Sequence, residues 1–278
     1  MSNEKRTIRI AILDLNDGQP NQGMRCIRQI IDEWTNQNDF DVQSQEFNVR
    51  QKNELPDTSF DIYISSGGPG DPLESRFEDW DIAWGKWVKE IERWNDNPDN
   101  HNKKYVFFIC HSFQLACRLF NAGVLKKRNS KAFGVFPVHM LHDGKHEPVF
   151  EGLRDPFYAV DSREYQLIRP NHELLHKAGS KILCIEKERP HVPLERAVMG
   201  IRFNEYMIGT QFHPEADALG MSLHLQTEEK RKTVIESYGE EKLNSMLRHL
   251  NDPDKILWTY SHVLPNFLDQ SVGMLEPA

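Results

Sequence analysis

An α/β fold is the class this sequence predicts: a mostly parallel, open sheet with helices on both faces, followed by a helical extension at the C-terminus. Two observations carry it. Apolar, β-branched runs alternate with helix-period segments through the first half of the chain, an order that builds parallel strands by crossover connections. Runs such as 7–15 (TIRIAILDL) and 105–109 (YVFFI) are apolar almost throughout, the pattern of strands buried on both faces.

The elements follow in order. Residues 7–15 form the first strand. After the polar stretch 16–23 a helical period runs from Met24 to Trp34, with Ile27, Ile30, Ile31 and Trp34 on one face. Residues 40–49 alternate as a strand, and 61–65 form another, broken by Ser66-Gly67-Gly68-Pro69-Gly70. Trp80, Trp84, Trp87, Ile91 and Trp94 recur at spacings of three and four, so 79–94 is a helix whose aromatic stripe packs in the core. A polar loop, 95–104, leads to the apolar strand 105–109 and then to a helix over 113–120. That helix ends at Asn121-Ala122-Gly123, where the glycine supplies a left-handed residue.

Strands dominate from Ala132 to Phe212, at 132–141, 156–160, 181–188, 195–203 and 206–212. Beyond Ala216 the chain turns helical, with a charged, solvated run at 227–242 and a last helix at 256–268. The simplest division is one α/β domain over 1–215 and a helical extension over 216–278 packed on it.

Composition excludes several function classes. The 278 residues are 38% hydrophobic, enough for one substantial core. Lys and Arg number 34 against 42 Asp and Glu, a net charge of −8. With no basic block, the chain has no general attraction for a phosphate backbone, and no nucleic-acid partner is expected. No apolar run approaches the roughly 20 residues that span a bilayer, so no membrane association is expected. The N-terminus lacks a leader pattern, and a cytoplasmic location is the expectation. His139, His142 and His146 are only loosely spaced, and His172 and His176 lack a carboxylate or cysteine partner, so neither a metal nor another cofactor is expected.

Cys26, Cys110, Cys117 and Cys184 sit at no CxxC spacing and read as free thiols. Cys110 stands where a buried strand runs straight into a helix. A sharp turn there exposes the side chain and frees the next backbone N–H, and a helix N-terminus favours the reactive thiolate. A buried structural cysteine is the alternative reading of this segment alone. The other three lie within apolar patterns and read as packing.

His213-Pro214-Glu215 is the second candidate segment. Pro214 biases His213 towards extended backbone, and residues two apart in an extended segment point the same way. An imidazole beside a carboxylate has its tautomer fixed and its charged form stabilised, as a general base requires. The third segment, Ser65 to Pro72, is a glycine-rich turn whose donors are the amides of Gly67, Gly68, Gly70 and Asp71, since Pro69 has none. No Gly-Lys-Ser/Thr follows, which argues against a phosphate loop.

Taken in order, SGGPGDP, then Cys110-x-x-x-Gln114 at a strand–helix junction, then QFHPE resemble the class I glutamine amidotransferase family, over about residues 7–215. The resemblance implies a flavodoxin-like sheet and a Cys–His–Glu triad that removes ammonia from glutamine, a small-molecule substrate, through a thioester. By matching position, Cys110 is the nucleophile, His213 the base and Glu215 its partner. The amides of Gly68 and His111 form the oxyanion hole, and Gln114, with Gly67, Ser162 and Arg163, falls at the substrate.

This sequence departs from the family pattern at three positions. Phe108 and Ser112 stand where the family usually has glycine, two residues before and after the nucleophile. Arg163 stands where a histidine often follows serine, and an arginine can grip a carboxylate in bidentate fashion. The chain carries neither a P-loop nor an SGG-x-DS nucleotide motif, so either a separate synthetase subunit takes the ammonia or the protein simply hydrolyses its substrate. A γ-glutamyl compound as substrate, a catalytically weak regulatory or binding subunit, and a homo-oligomer are the alternatives left open.

Overall fold

The computed structural model describes residues 6–275 apart from 20, 192, 227, 251, 253 and 254. The N-terminal stretch read for a leader thus lies largely outside the described residues, as does residue 227 of the charged run. Strand β1 (Thr7–Asp14) lies between two parallel neighbours, β2 (Asp41–Asn48) and β3 (Ile62–Ser65). Strands β4 (Tyr105–Ile109) and β9 (Met207–Thr210) extend the parallel array beyond β3.

Side-chain alternation explains the layers on either side. Ile8, Ile10 and Ile12 of β1, with Tyr105, Phe107 and Ile109 of β4, enter one core; Ala11 and Leu13, with Val106 and Phe108, enter the other. Helices α1 (Gln22–Gln37) and α9 (Ile256–Gly273) cover the first face. Asn21 caps α1 by accepting from the Gly23 amide. Phe267 of α9 meets Phe107 edge-on at 5.2 Å, and the Trp34 indole of α1 donates to Asp269 at 2.7 Å. On the opposite face lie α3 (Asp79–Asp96), whose Trp80, Trp84, Trp87 and Ile91 are buried, and α4 (His111–Leu119). The short helix α2 (Val49–Lys52) follows β2.

The far end of the sheet corrects the expectation of an open, mostly parallel array. Strands β5 (Val124–Met140), β6 (Phe157–Ile168), β7 (Lys181–Glu186) and β8 (Val198–Arg202) are antiparallel to one another, and β8 is antiparallel to β9. β5 is 17 residues long. It pairs with β6 along most of its length and with β7 at its C-terminal end, while β8 pairs with both β6 and β7. The four strands therefore close a ring, and the fold is mixed α/β with a closed end.

Two boundaries also move. β5 starts at Val124 rather than Ala132, and β6 continues eight residues past Val160. At the end of α4 the left-handed residue is Asn121, with φ 51°, not Gly123. Gly123 is needed instead for close packing, because a Cβ there would lie 2.8 Å from the Arg169 carbonyl oxygen.

Helix α5 (His172–Lys177) follows β6. After β9 come α6 (Ala218–Gln226), α7 (Glu228–Tyr238) and α8 (Glu240–Leu250), the last two divided at Gly239, φ 83°. Met221, Leu225, Val234, Leu243 and Leu250 of these helices form a third core against Val135 and Val160. Among the described residues no helix is long and apolar enough to cross a membrane.

Candidate active site

The carboxyl ends of β1, β3 and β4 converge, and the three singled-out segments meet there. Cys110 joins β4 to α4 with φ 49° and ψ −97°, a backbone state that L residues rarely adopt. Both flanks hold it. Its amide donates to the Thr210 carbonyl at 2.8 Å, and its carbonyl accepts from Gln114 N at 3.0 Å. Ser112, fully buried, ties the turn to its neighbours: Oγ accepts from Ile109 N at 2.8 Å and donates to the Ser65 carbonyl at 2.7 Å. The hydroxyl thus does what a glycine there cannot. Phe108 packs edge-on against Trp84 and Phe203, at 5.6 and 6.0 Å.

The turn after β3 presses against this elbow. A Cβ on Gly68 would lie 2.2 Å from the Leu15 carbonyl oxygen, so only glycine lets that backbone approach β1. A Cβ on Gly67 would lie 3.0 Å from Cε1 of His213 and 3.4 Å from Cβ of Cys110. Gly67 therefore marks the point where imidazole and thiol come together. Residues remote in sequence pin the loop: Arg50 donates to the Pro69 carbonyl at 2.5 Å, Arg118 to the Pro72 carbonyl, and the Tyr165 hydroxyl to Asp71.

His213 is held by a bridge to β6, its amide donating to the Val160 carbonyl at 2.8 Å. Its Nδ1 lies 2.8 Å from Oε1 of Glu215, and the Cys110 thiol is the other charged neighbour of the ring. Burial works against the charged ring, but the charges of Cys110 and Glu215, with the hydrogen bond to Glu215, together overcome it. The histidine is accordingly held well above its ordinary range. The Glu215 carboxylate is buried beside the first turn of α1, where a Cβ on Gly23 would come within 2.9 Å of Oε1. A helix N-terminus favours a carboxylate there.

The other singled-out residues are placed as follows. Ser162 reaches the site through its backbone, its carbonyl oxygen lying 3.5 Å from Cys110 Sγ. Arg163, next along β6, points into the ring of strands and has no solvent-facing edge with which to grip a substrate carboxylate. Its Nε lies 3.1 Å from Asp161 and its Nη2 3.2 Å from Glu186. Gln114 is buried and donates to both the Tyr165 carbonyl, at 3.2 Å, and Gln211 Oε1, at 3.0 Å. The His111 ring is buried near Trp80, and burial, with Arg50 and Arg118 nearby, pushes it down to about 3, so it is neutral at pH 7. Cys26, Cys117 and Cys184 are buried free thiols, raised by burial, Cys26 to about 12. Among the described residues no group of His, Cys, Asp and Glu is arranged to hold a metal ion.

Sequence reasoning missed Gln211, Tyr165, Arg50 and Arg118. Gln211 sits inside the QFHPE segment and Tyr165 inside DSREY, so both were within view. Nothing local marks the two arginines. A pocket of about 160 Å³ opens beside His213 and Glu215, lined also by Gln22, Phe133, Val160, Ser162 and Met221.

Residues 26–225 match the family model described as glutamine amidotransferase class-I. The chain belongs to that family. No curated protein matches this chain. Among solved structures, this class I glutamine amidotransferase is similar to a glutamine amidotransferase from Thermotoga maritima, at 16% identity and a TM-score of 0.66, over 95% of this chain and 98% of that one. It is also similar to a glutamine amidotransferase from Methylobacillus flagellatus, at 11% identity and a TM-score of 0.57, over 99% and 97%. The glutaminase domain of Trypanosoma brucei CTP synthase, solved with bound acivicin, aligns at 16% identity and a TM-score of 0.51, over 75% and 86%. At these identities the likeness is one of fold.

Proposed function

We propose that this class I glutamine amidotransferase is a hydrolase that releases ammonia from glutamine through a thioester at Cys110. The supporting observation is the convergence of Cys110, His213 and Glu215 on one place, with the strained Cys110 backbone at a strand–helix junction and the Gly67-Gly68 backbone against it.

The chemistry runs in two halves. Cys110 Sγ, its proton passed to His213, attacks the side-chain carbonyl carbon of glutamine. The tetrahedral oxyanion falls to the backbone amides of Gly68 and His111. As the C–N bond breaks, His213 gives its proton to the departing ammonia, and a γ-glutamyl thioester remains. A water deprotonated by His213 then attacks the thioester, the C–S bond breaks, and glutamate leaves. Glu215 holds the imidazole in one tautomer and balances its charge throughout. Gly67 and Ser162 border the substrate, whereas Gln114 and Arg163 act from behind it. The amidotransferase part is residues 1–215, and the helices after it contribute Gly220 and Met221 to the pocket wall.

The Trypanosoma brucei relative carries the name of a synthase, and by analogy the ammonia goes to a separate synthetase subunit. Glutaminase assay of the wild type and Cys110→Ala tests the reading; equal residual activity in both removes Cys110 from the mechanism.

The pocket beside His213 favours a second reading, a γ-glutamyl compound as substrate. His213 protonates the leaving group, and the pocket of about 160 Å³ beside it, against the roughly 10–15 Å³ of such space that one water needs, has room for a leaving group larger than ammonia. Competing glutamine against γ-glutamyl peptides and comparing kcat/KM separates the two.

A further inference from the structure

We propose that the side-chain amide of Gln211 is a further member of the catalytic group: it donates a hydrogen bond to Cys110 Sγ that favours thiolate over thiol, and Gln114 is the positioning residue that aims it. The inference rests on Cys110 being the nucleophile.

Besides His213, the sulfur has two polar neighbours with opposite demands. The Ser162 carbonyl oxygen, at 3.5 Å, can only accept, so it pairs with an S–H. Gln211 Nε2, at 3.6 Å, can only donate, so it pairs with a sulfur lone pair and most strongly with a full negative charge. When the S–H bond breaks and the proton moves to a ring nitrogen of His213, the electron pair stays on sulfur. The contact to Ser162 is then lost and the one to Gln211 strengthens. The pair of neighbours works as a poise between the two states, and Gln211 is the side that supports attack.

Gln114 and the neighbouring strands settle the direction of the amide. Gln211 Oε1 accepts from Gln114 Nε2 at 3.0 Å, and that same nitrogen donates to the Tyr165 carbonyl at 3.2 Å. Turning the Gln211 amide over would set its oxygen against sulfur and its NH2 against the NH2 of Gln114. The Gln211 backbone is tied as well, its amide donating to the Met199 carbonyl at 2.8 Å. Both glutamines are buried, which strengthens a hydrogen bond to a charge.

The test is the rate at which iodoacetamide, a neutral electrophile, alkylates Cys110 as a function of pH, with the modified thiol located by mass spectrometry. Gln211→Met removes the donor and keeps the volume. Gln211→Leu also removes the donor without adding a charge, so it serves where the Met variant folds poorly; circular dichroism checks both. In each variant the acid limb of the alkylation profile moves up by about one pH unit, and kcat for glutamine falls about tenfold with KM within twofold. A merely structural role leaves that limb where it is. Folded variants with the wild-type limb overturn the role of Gln211 alone. A wild-type Cys110 that the reagent does not touch overturns the nucleophile, and this proposal with it.

Discussion

Phe108 rests on Gly209. The two are register partners on β4 and β9, and a Cβ on Gly209 would lie 2.9 Å from both the Cβ and the carbonyl oxygen of Phe108. The family usually places a glycine two residues before its nucleophile; here the small residue stands across the ladder instead, and the space it leaves admits the Phe108 backbone and Cβ together with the Phe113 ring. The elbow keeps its turn because room is made on the neighbouring strand.

Gly209→Ala therefore forces β4 and β9 apart next to Cys110. Overpacking of this kind costs roughly 1–3 kcal/mol, and urea unfolding should show it together with reduced glutaminase activity. Installing the family residue does not repair anything: Phe108→Gly removes a buried ring and should cost roughly 3–5 kcal/mol. A Phe108→Gly variant as stable as the wild type contradicts this account.

Arg163 offers a second test, because its surroundings are ionic and enclosed. Glu186 receives Arg163 at 3.2 Å, Arg128 at 3.5 Å and Arg189 at 2.7 Å, while Asp161 faces Arg163 at 3.1 Å. Burial pushes the Asp161 carboxyl up despite Arg163 and Arg128. Removing one partner from such a group typically costs 3–5 kcal/mol, since a buried charge is left alone. Arg163→Met should lower stability by about that much, with KM for glutamine within twofold in the protein that remains folded. A stable variant with a strongly raised KM would place Arg163 at the substrate.

The same ring explains what was legible in the sequence and what was not. The parallel strands were visible because β1, β3 and β4 are apolar on both faces while the edge strand β2 alternates, and Cys110, His213 and Glu215 stood out because their local patterns put chemistry at strand ends. The second half of β6 was hidden. Asp161 and Arg163 occupy inward positions that normally hold apolar residues, so the alternation that signals a strand is written in paired charges. Gln211 was hidden for another reason: its amide matters only because α4 and β9 bring Gln114 and Cys110 to it, 97 and 101 residues away in sequence.

His111 sets a limit on stability in acid. Its ring is held at about 3, against roughly 6.5 in an unfolded chain. A base with a depressed native value contributes fully above the unfolded value, and the contribution fades as pH falls towards 3 because only the unfolded state takes up the proton. Between pH 7 and pH 5 the wild type should lose about 2 kcal/mol that His111→Phe does not lose. Urea unfolding of both proteins at the two pH values measures the difference; equal losses contradict a buried neutral ring.

Glu215→Gln tests the support behind His213 with the least change in shape. The wild-type carboxylate, 2.8 Å from Nδ1, is one of the groups that hold the imidazole above its ordinary range. Because the native value is raised, the charged ring persists as pH rises and is lost only on passing that value, so the stability gained from the pair disappears towards alkaline pH. A neutral amide in place of the carboxylate lowers that value. The ring then gives up its proton at lower pH, and the alkaline limb of kcat for glutamine should move down. Loss of the tautomer-fixing charge should also reduce kcat by up to roughly 10⁴-fold, the loss seen when the acidic member of a Ser-His-Asp triad is replaced by its amide. KM should change little, because Glu215 contacts the imidazole and not the substrate. Full activity with an unmoved alkaline limb would show that the imidazole does not depend on Glu215.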